Sequence, residues 1–117
     1  MKIILSTHNL TLTKAIEEHI LDRIAKLEHL QERATSIRVT LEHDSAKSPE
    51  RQFSCSMRFC LPGPDLFAED VKDDLYTAID LVAKKLEQQI RQRHNRYKAR
   101  KHKTAARSKL SRQEKGV

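Results

Sequence analysis

Apolar residues recur along the chain in two rhythms, and the points where one replaces the other divide it into elements. Lys2 to Thr7 (KIILST) is a short apolar run with β-branched residues, the composition of a strand, and His8-Asn9 follows as a turn. From Thr11 or Thr13 the spacing lengthens. Leu12, Ile16, Ile20, Ile24 and Leu27 return every third or fourth residue to about Leu30, which places them on one face of a helix. Ser36 to His43 (SIRVTLEH) alternates strictly, with Ile37, Val39 and Leu41 set against Arg38, Thr40 and Glu42, as a strand with one buried face does. Asp44 to Glu50 (DSAKSPE) has turn composition, and Arg51 to Leu61 alternates again, with Phe53, Cys55, Met57, Phe59 and Leu61 on one side. These two strands read as an antiparallel hairpin. Pro62-Gly63-Pro64 is the strongest turn signal in the chain, and Asp65 to Glu69 predicts a short fourth strand.

The last element is the longest. Within Asp73 to Lys103, Leu75, Ile79, Val82, Leu86 and Ile90 fall in one sector of a helical wheel, and Asp73 or Asp74 is placed to cap the first turn. Arg93 then occupies the phase of the apolar stripe, so the helix is expected to run past the edge of its packing partner after about residue 92. Opposite the stripe lie Lys84, Arg91 and Lys98, with Lys85 and Arg96 at the border, forming a basic ridge. The order β-α-β-β-β-α, with one apolar face per helix and one on the sheet, predicts an α+β two-layer sandwich: two helices on one face of a four-stranded sheet, the other face polar and wet. Residues 1–102 make the domain and 103–117 a basic, mobile tail.

Charge sharpens this picture. Residues 1–83 carry ten Lys/Arg and fourteen Asp/Glu, net −4, whereas residues 84–117 carry thirteen and two, net +11. Cations concentrated on a helix point to a polyanionic partner, because they displace the counterions condensed on a phosphate chain. The plain alternative is a solvated basic end.

Catalytic signatures are missing. The six histidines (His8, His19, His29, His43, His94, His102) form no recognisable metal pair, and there is no glycine-rich phosphate loop, nucleophile elbow or paired-acid motif. Cys55 and Cys60 differ in parity along one strand and read as reduced thiols. No apolar run approaches the roughly 18 residues of a membrane span, and Met1 to Asn9 lacks the features of a signal peptide. The expectation is a cytoplasmic, non-enzymatic binding protein without metal or cofactor.

Two segments carry a resemblance. Asp74-Leu75-Tyr76-Thr77-Ala78-Ile79-Asp80 followed by Lys85-Leu86-Glu87-Gln88-Gln89-Ile90-Arg91, together with Ala25-Lys26-Leu27-Glu28 on the first helix, resemble the motifs of the bacterial ribosome hibernation factors. That is the family of ribosome-associated translation inhibitor (protein Y) and short hibernation promoting factor, and the likeness covers about residues 1–100. It implies a fold similar to double-stranded RNA-binding domains. It also implies binding to the small ribosomal subunit, in the channel between head and body used by tRNA and messenger, with translation inhibited and idle ribosomes protected under stress or in stationary phase. The implied ribosomal RNA contacts are Arg23, Lys26, Lys84, Lys85, Gln88, Arg91, Gln92, Arg93, Arg96, Lys98 and Arg100, while Tyr76, Ala78 and Ile79 read as packing.

The chain departs from the family at Gln88 and Gln92, where Arg and Lys are usual. Each missing phosphate contact flattens the salt dependence by roughly 0.7 to 0.9 units. Either Arg91, Arg93 and Arg96 compensate or the affinity is lower. The long members of the family carry a further dimerisation domain, for which this chain is too short, so it is expected to be monomeric off the ribosome and not to pair ribosomes unaided. Among short forms, one class helps form ribosome dimers and another opposes them through an acidic tail, and the basic tail here leaves both open. Two other readings compete: a free-standing double-stranded RNA-binding module, and a basic module for an acidic protein or anionic membrane.

Overall fold

A computed structural model of the chain describes the backbone of residues 1–113 and the side chains of residues 1–95. The elements are β1 (Lys2–His8), α1 (Lys14–Leu30), β2 (Ser36–His43), a single 3-10 turn (Pro49–Arg51), β3 (Phe53–Cys60), β4 (Leu66–Lys72) and α2 (Leu75–Gln113). The strands form one sheet in the order β1-β2-β3-β4. The first pair is parallel and the other two antiparallel. A parallel pair needs a crossover, which α1 supplies.

Register carries the apolar alternation across the sheet. Ile3 lies opposite Ile37 and Leu5 opposite Val39; Val39 and Leu41 then face Met57 and Cys55, and Phe59 faces Leu66. These side chains share the face on which both helices lie. Ile20, Ile24 and Leu27 of α1 and Ile79, Val82, Leu86 and Ile90 of α2 complete the buried core. Helix α2 runs along β3 and β4, with α1 beside it. The α+β sandwich read from the sequence is therefore the fold.

Local chemistry fixes the element ends. The Thr13 hydroxyl accepts from the Ile16 N–H at 3.2 Å and caps α1. The Asp74 carboxylate accepts from the Thr77 N–H and hydroxyl, each at 2.9 Å, and caps α2. Asn9 (φ 58°) and Gly63 (φ 91°) take left-handed conformations in the turns after β1 and β3.

Two strand boundaries differ from the alternation pattern. Pro49 begins a 3-10 turn, so β3 starts at Phe53 instead of Arg51. Strand β4 continues past Glu69 to Lys72. Its pattern is hidden because Asp70 sits on the inward face, opposite Cys55, where an apolar residue would be expected. Partial burial pushes the Asp70 carboxyl up, but the Val71 N–H, the Lys85 ammonium at 3.3 Å and the charge of Lys72 outweigh this and hold it below the usual carboxylate range.

The helical backbone of α2 extends to Gln113, beyond the Lys103 suggested by sequence. The side chains of the stretch read as a tail lie outside the described residues, as do those of Arg96, Lys98 and Arg100. Among the described residues, no helix is long and apolar enough to cross a membrane.

Candidate nucleic-acid interface

The seam between the helices is organised by a carboxylate. Asp80, on the outer shoulder of α2, accepts hydrogen bonds through one oxygen from Arg23 Nε at 2.8 Å and His19 Nε2 at 2.6 Å, both on α1. Partial burial pushes its carboxyl up, yet these hydrogen bonds and the charges of His19 and Arg23 hold it below the ordinary range. The Tyr76 and His19 rings meet edge to face, with centroids 5.1 Å apart. Tyr76 is thus a surface side chain that braces the seam, while Ala78 and Ile79 are buried in the core.

Below Asp80 the helices enclose an open groove of about 430 Å³, its floor apolar (Leu27, Leu30, Ala83) and its rim polar (Arg23, Lys26, Lys84, Glu87). Lys26 lies 3.7 Å from Asp22 and Arg91 2.9 Å from Glu87, each an exposed i,i+4 pair. Lys84 makes no ion pair with a described residue. Exposed pairs of this kind are worth at most about 1 kcal/mol, so a phosphate can take the cation from its carboxylate at small cost. Lys26, Lys84 and Arg91 are accordingly the readily available charges on this side, whereas Arg23 is committed to Asp80.

The other shoulder of α2 has a different task. Lys85 Nζ donates to the Glu69 carbonyl at 3.0 Å, Gln89 Nε2 to the Phe67 carbonyl at 2.9 Å, and Arg93 to the Pro64 carbonyl at 2.6 Å. Four helical residues advance about 6 Å and two strand residues about 6.6 Å, so donors at i and i+4 keep step with the Glu69 and Phe67 carbonyls of β4, and the donor at i+8 reaches Pro64 in the turn before the strand. This ladder covers a sheet edge that would otherwise present unpaired acceptors. Lys85, expected as an RNA contact, is engaged here, and so is Arg93, which passes the Pro62–Pro64 turn at the end of the sheet. Gln88 and Gln92 line the shallow groove beside the ladder, with Phe67 and Glu69 across from them. Lys84 and Lys85, adjacent in sequence, therefore serve opposite sides of the helix, and the basic ridge splits into two strips.

With this geometry in place, the relatives of the chain become informative. The model of the family described as sigma 54 modulation protein / S30EA ribosomal protein matches residues 3–98. The chain belongs to that family. It is 30% identical over 93 residues to the ribosome hibernation promotion factor of Deinococcus radiodurans, covering 80% of this chain and 49% of that protein. It is 33% identical over 95 residues to the ribosome hibernation promoting factor of Acinetobacter guillouiae, covering 77% and 84%. The chain thus spans about half the length of the first relative and most of the second. Among solved structures, the Thermus thermophilus protein Y N-terminal domain superposes with a TM-score of 0.66 at 28% identity, over 79% of this chain and 98% of that one. The resemblance carried by the Asp74–Asp80 and Lys85–Arg91 segments is to this family.

Sequence reasoning missed two functions of side chains it had already noticed. Asp80 stood in a motif without a role because its partners lie 57 and 61 positions away. The ladder's signal is visible in the sequence, where donors at residues 85, 89 and 93 lie along one side of the helix, but charge alone does not distinguish them.

Proposed function

We propose that this protein is a ribosome hibernation factor. It binds the small ribosomal subunit in the channel between head and body, occludes tRNA and messenger, and holds idle ribosomes out of translation. It acts in the cytoplasm by binding alone and is monomeric off the ribosome. The observation that carries this reading is the α1–α2 groove, where Lys84 stands exposed without an ion pair to a described residue, and Lys26 and, through Glu87 on the rim, Arg91 stand exposed beside carboxylates that a phosphate can displace. Arg23 keeps the two helices in register through Asp80 and reaches RNA as the second member of that contact. Lys85 and Arg93 set the angle of α2 against the sheet while Gln88 and Gln92 present neutral donors to RNA from the β4 side of the helix, and Arg96, Lys98 and Arg100 extend the contact along the helix. The relatives' names and the family support the ribosome as partner.

Sucrose-gradient co-sedimentation tests it. Wild type should travel with small subunits and intact ribosomes, and the Lys26→Gln, Lys84→Gln, Arg91→Gln variant should stay at the top of the gradient with an unchanged circular dichroism spectrum. A wild-type protein that remains at the top, or that prefers a long RNA duplex to small subunits in matched salt, would refute the proposal.

A further inference from the structure

The face of the sheet away from the helices holds a contact that stability does not explain. Arg38 on β2 and Arg58 on β3 are direct cross-strand partners, and like charges placed opposite each other on a sheet are destabilising. Arg58 has one carboxylate within reach, Asp65 at 3.7 Å. Arg38 has no ion-pair partner among the described residues. By register its neighbours are Ile4, Ser36, Thr40 and Arg58, and the nearest diagonal positions hold Lys2, Ser6, Ser56 and Cys60. None is acidic. Of the carboxylates that share this face, Glu69 stands in the next row, opposite Ser56 and diagonal to Arg58, and Glu42 one row further, opposite Ser54, so neither is a direct neighbour of Arg38.

Next to Arg58 in the same row stands Phe67. Its side chain is 43% exposed, a large aromatic left in water on an edge strand. The Arg58 guanidinium lies 5.3 Å from its ring centroid. The row therefore offers, in order, a cation without a counterion, a second cation, and an aromatic ring, bordered by hydroxyls.

The geometry points to this sheet face as a second RNA surface that takes an unpaired strand, with a phosphate between Arg38 and Arg58 and a base against Phe67. The inference rests on the reading of the protein as a ribosome factor and adds a face which that reading does not use. Two guanidiniums satisfy a phosphate with parallel N–H donors, and an anion between them turns their repulsion into attraction. Aromatic stacking accepts any base, and an open, flat sheet suits single-stranded nucleotides better than a duplex. With one RNA segment on the helices and another on the sheet, the domain is held from both sides.

The test is binding of the full chain to a fluorescent single-stranded oligouridylate across a salt series, with oligoglutamate as competitor. Arg38→Gln with Arg58→Gln should weaken binding roughly tenfold or more and flatten the salt slope by about 1.4 units, two contacts at about 0.7 each. Phe67→Ser should weaken it by about tenfold with the slope unchanged. The arginine variant should melt close to the wild-type temperature, since relief of the like-charge pair offsets loss of the Arg58–Asp65 and Arg58–Phe67 contacts. Unchanged oligouridylate binding in both sheet variants would overturn the inference. So would displacement by oligoglutamate as efficient as by unlabelled oligouridylate, which would assign the face to acidic proteins. The two proposals fail separately. A wild-type protein that does not co-sediment with ribosomes refutes the proposed function, whereas oligouridylate binding that survives loss of Arg38, Arg58 and Phe67 refutes only the second surface.

Discussion

The donor ladder from α2 to β4 makes a quantitative prediction that separates holding the fold from binding RNA. Replacing Lys85, Gln89 and Arg93 together by methionine keeps long, helix-compatible side chains but removes every donor to the carbonyls of Glu69, Phe67 and Pro64. A net hydrogen bond is worth about 0.5–1.5 kcal/mol. These three are solvent-exposed, so the lower half of that range applies, and the loss of the Lys85–Asp70 pair adds less than about 1 kcal/mol. The sum is a loss of about 2 kcal/mol, or roughly 8–10 °C in melting temperature for a domain of this size. Urea unfolding followed by circular dichroism reads the energy, and size-exclusion chromatography reads the second consequence, self-association through the uncovered β4 edge. Gln89→Met alone should cost about 0.5 kcal/mol. A triple variant within about 0.5 kcal/mol of wild type and still monodisperse would show that water satisfies the edge equally well and that the ladder is incidental.

Other outcomes follow from the same structure. Changing Lys26, Lys84 and Arg91 to glutamine should flatten the salt dependence of small-subunit binding by about 2 to 3 units; between about 50 and 200 mM salt, wild type would then lose roughly 20- to 40-fold more affinity than the variant. Asp80→Asn should lower stability by about 1 kcal/mol after allowance for exposure. Because the Asp80 carboxyl is held below its ordinary value of about 3.9, that deficit should be constant above about pH 5 and close on acidification as pH falls through the folded-state value; a gap that widens in acid would contradict the arrangement. Leu86→Ala empties a fully buried site and should cost about 2–5 kcal/mol in urea unfolding without altering RNA affinity per folded molecule. Burial and the neighbouring Asp70 push the Cys55 thiol up to about 12, so a thiol reagent should label Cys60 in the native protein and Cys55 only after unfolding.

The fold was largely legible in the chain because its signals are local and redundant. The helix stripe at Leu75, Ile79, Val82, Leu86 and Ile90, the Asp74 cap and the strict alternation of Ser36–His43 each specify an element without reference to the rest. Legibility failed where a polar side chain does structural work at a distance. Asp70 interrupts the alternation of β4 because Lys85, fifteen residues away, supplies its counter-charge. At the candidate interface, sequence identified the cations but not their commitments. Arg23, Lys85 and Arg93 look the same as Lys26 and Lys84 on a helical wheel, and only tertiary contacts divide those that hold carboxylates and carbonyls from those left to water.

The two edges of the sheet are unlike each other. Side chains of α2 occupy two carbonyls of β4, those of Glu69 and Phe67, while β1 pairs only with β2 and keeps its other edge open among the described residues. A molecule whose β1 edge is the more open one joins a second copy there more readily than at β4, and such a pair leaves only the partly covered edges outside. The hydrogen bonds from α2 thereby disfavour open-ended strand addition at β4.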